Sequence, residues 1–367
     1  MYTLLSLGLL SFCFCAILTP QVRNLFKKLN ITDTPDSVRK IHIPSIPRVG
    51  GIAIAVSYVA ALAILAFSPL SGGSWALVHA WHAVALIPST LLIFGIGLLD
   101  DLFGLRPWQK LTIQIVASVI AYIYGVRLDH IAGIALPVFV SIPATVLWLV
   151  ACTNAFNLID GVDGLAAGVG LFATLTMLVA AMLAENYPLM FLTVPLAGAL
   201  FAFLRYNSNP ASIFLGDCGS LFVGFLLGCY GILWAQKSAT LLGMTAPLMA
   251  MAIPLLDTSV TIVRRFLRQQ PIFSADRAHI HHQLLARGMS PRRVALILYA
   301  VVGVCAVLSL LISQVQDRYS GVILLLFCGV AWLGIQHLGY LEFGTASRMF
   351  VAGAFRRLLT TQLALTE

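Results

Sequence analysis

Charged residues are scarce in this chain: 10% of its 367 residues are Asp, Glu, Lys or Arg, whereas 60% are hydrophobic. The mean hydropathy of +0.95 is far too high for a soluble domain. The sequence also lacks a low-complexity linker, an internal repeat and any segment with the composition of a soluble domain. These absences exclude a soluble or modular protein and predict one integral membrane domain.

Two further patterns are missing. The seven cysteines have neither the spacing of a metal site nor that of a disulfide framework, so we interpret them as packing residues. The first apolar segment has no basic stretch before it and is followed by Arg23, Lys27 and Lys28. This order is the reverse of a cleavable secretory signal, and we expect the segment to be retained as a helix.

Long apolar runs dominate what is present. A membrane-spanning helix needs about 20 predominantly apolar residues. Runs of about that length occur near residues 2–19, 50–70, 81–99, 110–125, 133–153, 165–184, 188–205, 219–236, 240–263, 294–313 and 320–338. The sequence therefore predicts an all-α polytopic membrane protein with about 11 transmembrane helices.

Basic residues divide very unevenly between the two sets of loops that these spans create. Only Arg127, Lys237 and Arg318 fall on one side, which leaves 19 of the 22 Lys and Arg residues on the other. Cytoplasmic loops carry the excess of basic residues, so we expect the N-terminus outside and the C-terminus in the cytoplasm. We expect a single membrane domain over residues 1–340 and a cytoplasmic tail over residues 341–367.

Acidic residues are few, yet several stand at the predicted cytoplasmic ends of spans. Asp100 and Asp101 close the third span, Asp160 and Asp163 follow the fifth, and Asp217 precedes the eighth. A carboxylate near hydrocarbon is costly and needs a partner or a function. Several of them at one membrane face indicate a metal-assisted active site of a membrane enzyme.

Each acidic motif also has a simpler interpretation. Asp100 and Asp101 oppose the dipole at the end of their own helix, which makes capping there unfavourable, but they could form a solvated pair at the interface. Asp217 suits Mg²⁺, which is typically held by one or two carboxylates and phosphate oxygens, but it could simply cap a helix. Taken alone, neither motif decides between these interpretations.

The segment 154–164, with the sequence NAFNLIDGVDG, is the densest polar element. Asn157 and Asp160 would share one face of a helical turn, and the glycines leave room for a bound ring or phosphate. An ordinary turn rich in Asn, Asp and Gly is the alternative. The segment therefore adds moderate support for a binding site.

A histidine cluster follows the ninth predicted span. Residues 274–288 predict a short capped helix that ends at Gly288 and places His279 and His282 on one face. The spacing differs from that of zinc proteases, so we favour contacts with phosphate or lipid head groups over a metal site. Asp257 is the acidic residue deepest in a span; it could line a cleft or neutralise a basic neighbour, and we favour a structural role.

In combination these motifs resemble the polyprenyl-phosphate N-acetylhexosamine 1-phosphate transferases, a family of multi-span enzymes. The match runs in order through PRVGG at 47–51, the two aspartates at 100–101, NAFNLIDGVDG at 154–164, FLGD at 214–217 and HIHH at 279–282. The histidine motif is similar to that of the branch that uses UDP-N-acetylglucosamine. It departs from the differently spaced triplet of the branch that makes the first lipid intermediate of peptidoglycan.

The resemblance implies a reaction and its partners. Undecaprenyl phosphate would attack the β-phosphorus of UDP-N-acetylglucosamine, releasing UMP and forming undecaprenyl-diphospho-N-acetylglucosamine, with Mg²⁺ required and Mn²⁺ as an alternative. This would be the first lipid-linked step of a cell-envelope glycan such as an O-antigen or cell-wall polymer. The enzyme would lie in the bacterial inner membrane among its lipids, with its site facing the cytoplasm. We expect no nucleic-acid partner and leave a homodimer open.

The resemblance also implies roles for individual residues. Asp217 would bind the metal, and Asp100 with Asp101 would serve the lipid phosphate. The other implied positions are Asn157 and Asp160 at the nucleotide diphosphate, Asp163, Asn207 and Phe214 at the uridine, His279, His281 and His282 at phosphate or sugar, and Lys40 at phosphate.

Two phosphates that meet in line need neutralising cations more than a general base. A phosphate monoester with a second pKa near ~6 is largely dianionic at neutral pH. We therefore expect direct displacement without a covalent intermediate on Asp100. The alternatives are the same reaction with another UDP-N-acetylhexosamine, a transporter of anionic solutes, and a catalytically silent scaffold for envelope assembly.

Overall fold

A computed structural model describes residues 2–31, 46–67, 74–131, 134–236, 245–267 and 279–314, with residues 269, 322, 325 and 329. These residues form helices joined by short loops, and two strands of two residues pair as an antiparallel hairpin, β1 (His130–Ile131) with β2 (Ile134–Ala135). The helices are α1 (Tyr2–Lys28), α2 (Gly51–Phe67), α3 (Ser74–Phe103), α4 (Pro107–Ile123), α5 (Val138–Leu158), α6 (Leu165–Leu183), α7 (Tyr187–Asn207), α8 (Gly216–Ala235), α9 (Thr245–Ala250), α10 (Ala252–Leu267), α11 (Ile280–Ala286) and α12 (Pro291–Gln314).

The prediction of an all-α membrane protein is confirmed. Among the described residues, seven helices are long and apolar enough to cross a membrane: α1, α3 from Leu86, α5, α6, α7, α8 and α12 to Leu311. The apolar part of α2, Gly51–Leu65, is shorter. The eleventh predicted span, at 320–338, lies outside the described ranges apart from three isolated residues. The count of about 11 therefore stays a prediction.

The ninth predicted span, at 240–263, is not one continuous helix. It contains α9 and α10, which are separated by a turn at Met251. Pro254 lies in the first turn of α10, where its missing N–H costs nothing, whereas in a helix continuous with α9 it would leave a carbonyl of the preceding turn without its donor. The break gives α10 its own start at Ala252.

Helix α8 lies at the centre of the bundle. It packs against α2, α3, α5, α6 and α7, and 89% of the residues in its apolar stretch are buried. Gly51 at the start of α2 and Gly219 in α8 approach so closely that a Cβ on Gly51 would collide with the backbone of α8. Tyr230 of α8 hydrogen-bonds Tyr58 of α2 at 3.0 Å and donates to the Leu192 carbonyl of α7 at 2.9 Å.

The start of α8 is held by backbone pairing with the segment before α2. The amide of Phe214 donates to the Pro47 carbonyl, and the amides of Gly50 and Gly51 donate to the carbonyls of Phe214 and Leu215. All three distances are 2.9 Å. Two loops far apart in sequence thus form one rigid platform at the end of the bundle where α3, α5 and α7 end.

Candidate active site

Asp101 fixes the first turn of α8. Its Oδ1 accepts the amide of Asp217 at 2.8 Å, and its Oδ2 accepts the amide of Cys218 at 2.9 Å. The first amides of a helix have no partner within the helix, and a carboxylate there also meets the positive end of the dipole. Asp101 is thus a cap for a helix other than its own, and both of its oxygens are engaged by backbone.

The chain turns into α8 through Gly216, whose φ is +74°. In this left-handed region a side chain is strained, and a Cβ here would also lie 2.7 Å from an oxygen of Asp101. The glycine therefore lets the Asp101 carboxylate reach the helix start. This turn also sets the direction of the next side chain, that of Asp217.

Asp100 and Asp217 are joined by one ammonium group. Lys110 Nζ, in the first turns of α4, donates to Asp100 Oδ2 at 2.8 Å and to Asp217 Oδ2 at 2.9 Å. The other oxygen of Asp100 accepts the Leu105 amide at 2.6 Å. The three side chains are 13–22% exposed, so this charge cluster is accessible without being freely solvated.

Asn157 completes the surroundings of Asp217. It lies in the last turn of α5, and its amide nitrogen donates to Asp217 Oδ1 at 3.1 Å and to Ser220 Oγ at 2.8 Å. Asp217 does not cap α8 with its side chain, which instead projects toward Lys110 and Asn157. The capping alternative for Asp217 is therefore not what the structure shows.

A cavity of about 240 Å³ lies beside this cluster. Its lining combines a cation, carboxylates, an amide and an aromatic ring. The residues are Arg48, Asp160, Gly161, Val162, Asp163, Asn207 and Phe214. Four of the predicted site residues therefore meet in one cavity, and Arg48 adds a positive charge that suits an anionic ligand.

Asp160 lies in this cavity just after α5. Burial raises the pKa of its carboxyl to about 7, and the negative charge of Asp217 adds to this rise. The guanidinium of Arg48 acts in the opposite direction. A carboxyl with such a pKa changes its charge near neutral pH when a cation or an anion binds nearby.

The turn between α5 and α6 is tied to its surroundings at two points. Asp163 Oδ2 accepts the Asn209 side-chain amide at 2.9 Å and the Ala211 backbone amide at 3.0 Å. Tyr299 Oη of α12 donates to the Gly164 carbonyl at 2.6 Å. Asn207 likewise braces the next loop, since its amide donates to the Ile213 carbonyl at 3.0 Å.

The histidines border the same turn. Helix α11 begins at Ile280, with His279 at its N-cap, and residues 274–278 of the predicted capped helix lie outside the described residues. His281 is buried, and its Nε2 would lie 2.5 Å from a Cβ on Gly161, so only glycine lets the ring lie this close. Burial lowers the pKa of His281 to about 4, and the neighbouring His282 contributes in the same direction.

The three predicted histidines lie close together. The His279 and His281 rings are parallel with centroids 5.9 Å apart, and His282 is tilted against His281 at 4.3 Å. The shared face of His279 and His282 stays a prediction. The three rings form one cluster centred on His281.

Comparison with known proteins identifies the type of enzyme. Residues 82–235, which contain the two aspartates of α3, the turn after α5 and the start of α8, match the model of Glycosyl transferase family 4. A Bacillus subtilis protein named "Probable undecaprenyl-phosphate N-acetylglucosaminyl 1-phosphate transferase" is 34% identical over 290 residues, which is 78% of either chain. The chain belongs to this family. The predicted family is confirmed, and the protein is a membrane-bound phosphoglycosyltransferase.

Two further relatives show how far the similarity extends. A Mycobacterium tuberculosis protein named "Decaprenyl-phosphate N-acetylglucosaminephosphotransferase" is 33% identical over 314 residues, covering 78% of this chain and 77% of its own. A Clostridium botulinum "Phospho-N-acetylmuramoyl-pentapeptide-transferase" is 32% identical over 244 residues, covering 60% and 71%. The phosphoglycosyltransferase described here is thus similar to members with different named substrates.

The charge cluster of this transferase has a donor set that suits a hard divalent cation. An ammonium already lies between oxygens of Asp100 and Asp217, so the position is shaped for a positive charge. Mg²⁺ is typically bound by one or two carboxylates and by substrate phosphates. In the part of the chain that the structure describes, no three His, Cys, Asp or Glu residues gather into a metal cluster. The residues therefore fit Mg²⁺ if phosphate oxygens and water complete its shell.

Lys110 and Arg48 hold central positions in the site of this phosphoglycosyltransferase, although the sequence motifs do not assign them a role. The signal for Lys110 is a basic residue at the start of an otherwise apolar helix, nine residues after Asp101. Such a residue needs a partner, and the nearest carboxylates are those that close α3. Lys40, the predicted phosphate-binding lysine, lies outside the described residues.

Proposed function

We propose that this enzyme transfers N-acetylglucosamine 1-phosphate from UDP-N-acetylglucosamine to undecaprenyl phosphate and releases UMP. The proposal depends on one observation: the ammonium of Lys110 joins the carboxylates of two aspartates, Asp100 and Asp217. This cluster lies next to the cavity lined by Arg48 and Phe214. Phosphoryl transfer between two anions depends on positioning and on cationic charge, and this site offers both. The names of the similar B. subtilis and M. tuberculosis proteins support the donor sugar and a polyprenyl-phosphate acceptor.

The cavity would bind the nucleotide sugar. Phe214 offers a ring for stacking on uracil, while Asp163 and Asn207 offer polar groups for the uridine. Arg48 would pair with the diphosphate. Asp160 would gain or lose a proton according to the charge of the ligand that binds beside it. A volume of about 240 Å³ holds part of a UDP-sugar, so the remainder would extend toward Lys110 and the histidines.

The charge cluster would bring the two phosphates together. Asp217 would hold Mg²⁺, which when bound neutralises the diphosphate and favours departure of UMP. Lys110 would donate hydrogen bonds to phosphate oxygens, and Asp100 would orient this lysine and tune the protonation of the acceptor phosphate. The attacking oxygen of a dianionic phosphate is already unprotonated, so no side chain needs to remove a proton from it.

Asp101 has a different role in this proposal from the one that the resemblance implies. Its two oxygens accept two backbone amides of α8, which leaves the acceptor phosphate to Asp100 and Lys110. His281 and His282 would contact the sugar or its phosphate from the Gly161 side. His279 would support them.

We also propose the orientation in the membrane. About 11 spans over residues 1–340 would place the N-terminus outside, and the tail at 341–367 would lie in the cytoplasm. The bacterial cytoplasmic membrane would then present the site to the nucleotide pool of the cytoplasm. The imbalance of 19 basic residues against three supports this orientation.

The test is UMP release by the purified protein with a panel of UDP-sugars, with and without undecaprenyl phosphate and Mg²⁺. We expect release with UDP-N-acetylglucosamine only when both the lipid and the cation are present. Release with a different UDP-N-acetylhexosamine would correct the donor. Uptake of an anionic solute by proteoliposomes, without UMP release, would replace the proposal by a transporter.

A further inference from the structure

Asp257 is not a member of the charge cluster, and its side chain is 2% exposed. It belongs to α10, yet both of its oxygens contact the start of α11, 22 residues later. Oδ2 lies 3.0 Å from His279 Nδ1, and Oδ1 accepts the Ile280 amide at 2.9 Å. A buried carboxylate is costly, and this one recovers the cost in two directed hydrogen bonds.

These bonds define where α11 begins. Isolated helices shorter than about 12 residues are marginal in water, so a helix of seven residues depends on what it is attached to. Asp257 satisfies the first free amide and fixes the N-cap side chain in the same step. Leu284 is buried on the same short helix and anchors its far end.

The position of α11 decides where His281 lies. His279 and His281 stack with parallel rings at 5.9 Å, and His281 contacts the turn at Gly161, which lines the cavity. The contacts therefore run from Asp257 through His279 and His281 to the wall of the cavity. Asp257 itself is not among the residues that line this cavity.

We propose that Asp257 is a positioning residue of this phosphoglycosyltransferase: it fixes His279 and the first turn of α11 and so holds His281 against the cavity wall at Gly161. The inference rests on the proposed function of that cavity. A carboxylate only accepts hydrogen bonds, so Nδ1 of His279 carries a proton in this pair. Asp257 thereby fixes both the place of His279 and the proton on its Nδ1.

The substitution Asp257→Asn changes the proton position on His279 while the side chain keeps its size. The side-chain oxygen of Asn can still accept the Ile280 amide, but its nitrogen would donate to His279 Nδ1 and move the ring proton to Nε2. Asp257→Ala removes both bonds. Asp129→Asn is a matched control, because Asp129 accepts a hydrogen bond from Ser141 at 2.9 Å in the β1 region, away from the site.

The kinetic experiment measures kcat and KM for UDP-N-acetylglucosamine. We expect Asp257→Asn to lower kcat about tenfold or more with KM changed by less than about threefold, as for partners that orient a functional histidine. Asp257→Ala should also raise KM, because α11 loses its anchor. The double variant Asp257→Asn with His279→Asn should be no slower than His279→Asn alone, since Asp257 acts through His279. The control should match the wild type.

Hydrogen exchange of the α11 amides gives a readout that does not depend on turnover. Asp257→Ala should speed exchange at residues 280–286 while α8 stays protected. Wild-type kcat in Asp257→Asn, losses that multiply in the double variant, or unchanged exchange in Asp257→Ala would each overturn the inference. If the Asp257 variants do not fold, His279→Asn with wild-type kcat and native exchange of α11 would do the same.

Failure of the proposed function would look different. In that case the wild type itself would release no UMP from UDP-N-acetylglucosamine, whereas the exchange experiment would still report whether Asp257 anchors α11. If the wild type is active and Asp257→Asn has the same kcat, only the positioning role of Asp257 is contradicted.

Discussion

Lys110 is the residue on which the charge cluster depends, because it is the shared donor to Asp100 and Asp217. Without it, two carboxylates would face each other, and a bound cation or a shared proton would have to relieve their repulsion. In the proposed reaction Lys110 also competes with Mg²⁺ for the oxygens of Asp217. Lys110 thus holds the two carboxylates together. In the proposed reaction it would release Asp217 when the metal and the substrate bind.

Replacing Lys110 by Met should therefore have two opposite effects. We expect kcat to fall by about 10- to 100-fold, which corresponds to the ~1.5–3 kcal/mol of a hydrogen bond to a charged group. The apparent affinity for Mg²⁺ should rise, because the competing ammonium is gone. A magnesium titration of UMP release measures both. A weaker Mg²⁺ dependence together with normal kcat would contradict this account, and Lys110→Arg, which keeps the charge, should lie between.

Asp160 makes a pH dependence testable. Its folded pKa of about 7 lies above the ordinary value, so the folded protein holds a proton on Asp160 between about pH 4 and 7 that the unfolded chain releases. This group therefore costs stability increasingly as pH rises through that window. A cation bound near Asp217 would expel the same proton.

We accordingly expect Mg²⁺ to bind more tightly as pH rises from about 6 to 8, with release of a proton on binding. Calorimetry of Mg²⁺ binding in two buffers of different ionisation enthalpy measures the proton count. Asp160→Asn should abolish the proton release in this range. Equal proton release in the variant would assign the titration to another group.

At the scale of elements, the start of α8 combines structure and chemistry in two consecutive turns. Asp101 supplies its cap from α3, while Asp217 and Ser220 present polar groups from the helix itself. A cap donated by another helix fixes the relative placement of α3 and α8. The neighbouring residue Asp100 is then carried to its position beside Lys110.

Substitutions of the two aspartates of α3 should consequently affect different properties, stability for Asp101 and activity for Asp100. Asp101→Ala removes the cap of α8 and should cost about 1–2 kcal/mol of stability, seen as a lower thermal midpoint in detergent. Asp100→Ala should leave the midpoint nearly unchanged and lower UMP release. Similar midpoints in the two variants would mean that Asp101 does not stabilise α8 as its hydrogen bonds indicate.

Helix α11 carries the second pH effect. The folded pKa of His281, about 4, lies below its ordinary value of 6.5, so the buried ring is neutral and must gain a proton on unfolding in acid. Its contribution to stability is complete above about pH 6.5 and is lost as pH falls from there toward 4. The thermal midpoint of the wild type should decrease across this window.

His281→Asn is the comparison for this effect. The variant cannot titrate there, and its midpoint should fall less steeply between pH 6.5 and 4 than that of the wild type. Parallel curves for the two proteins would assign the acid sensitivity to other groups, such as the remaining histidines of the cluster.

At the scale of the whole molecule, the membrane orientation is open to direct measurement. Single cysteines introduced in a cysteine-free background, at Gly73 and at Arg106, should lie on opposite sides if the proposed topology holds. An impermeant maleimide added to intact cells should label position 73 and not position 106. Labelling of both positions from outside, or of position 106 alone, would invert or break the proposed arrangement.

The sequence predicts those features that depend on local composition. Apolar runs predict most of the helical regions, and the motifs at Asp100, Asp160 and Asp217 predict which ends of the helices come together. Contacts between distant elements are not predictable in the same way, because they depend on how each helix is rotated. The link from Asp257 to His279 and the direction of Lys110 are of this second kind.

The break between α9 and α10 is another feature that local composition does not predict. Hydropathy treats residues 240–263 as one run, since it sums transfer energies and ignores backbone hydrogen bonds. Pro254 carries the information, but proline within other helices here, such as Pro88 and Pro143, does not end them. The sequence alone does not distinguish a proline at a helix break from one that lies within a helix.

The Asp100–Lys110–Asp217 cluster lies at helix ends, and this location affects how the lipid acceptor of the proposed reaction would reach it. In the proposed membrane orientation the reacting groups would lie at the head-group layer, so the phosphate of that lipid would react at the depth it already occupies and would not have to enter the hydrocarbon. Its long tail would stay among neighbouring acyl chains throughout turnover. Loading the acceptor would then be a sideways drift within one leaflet.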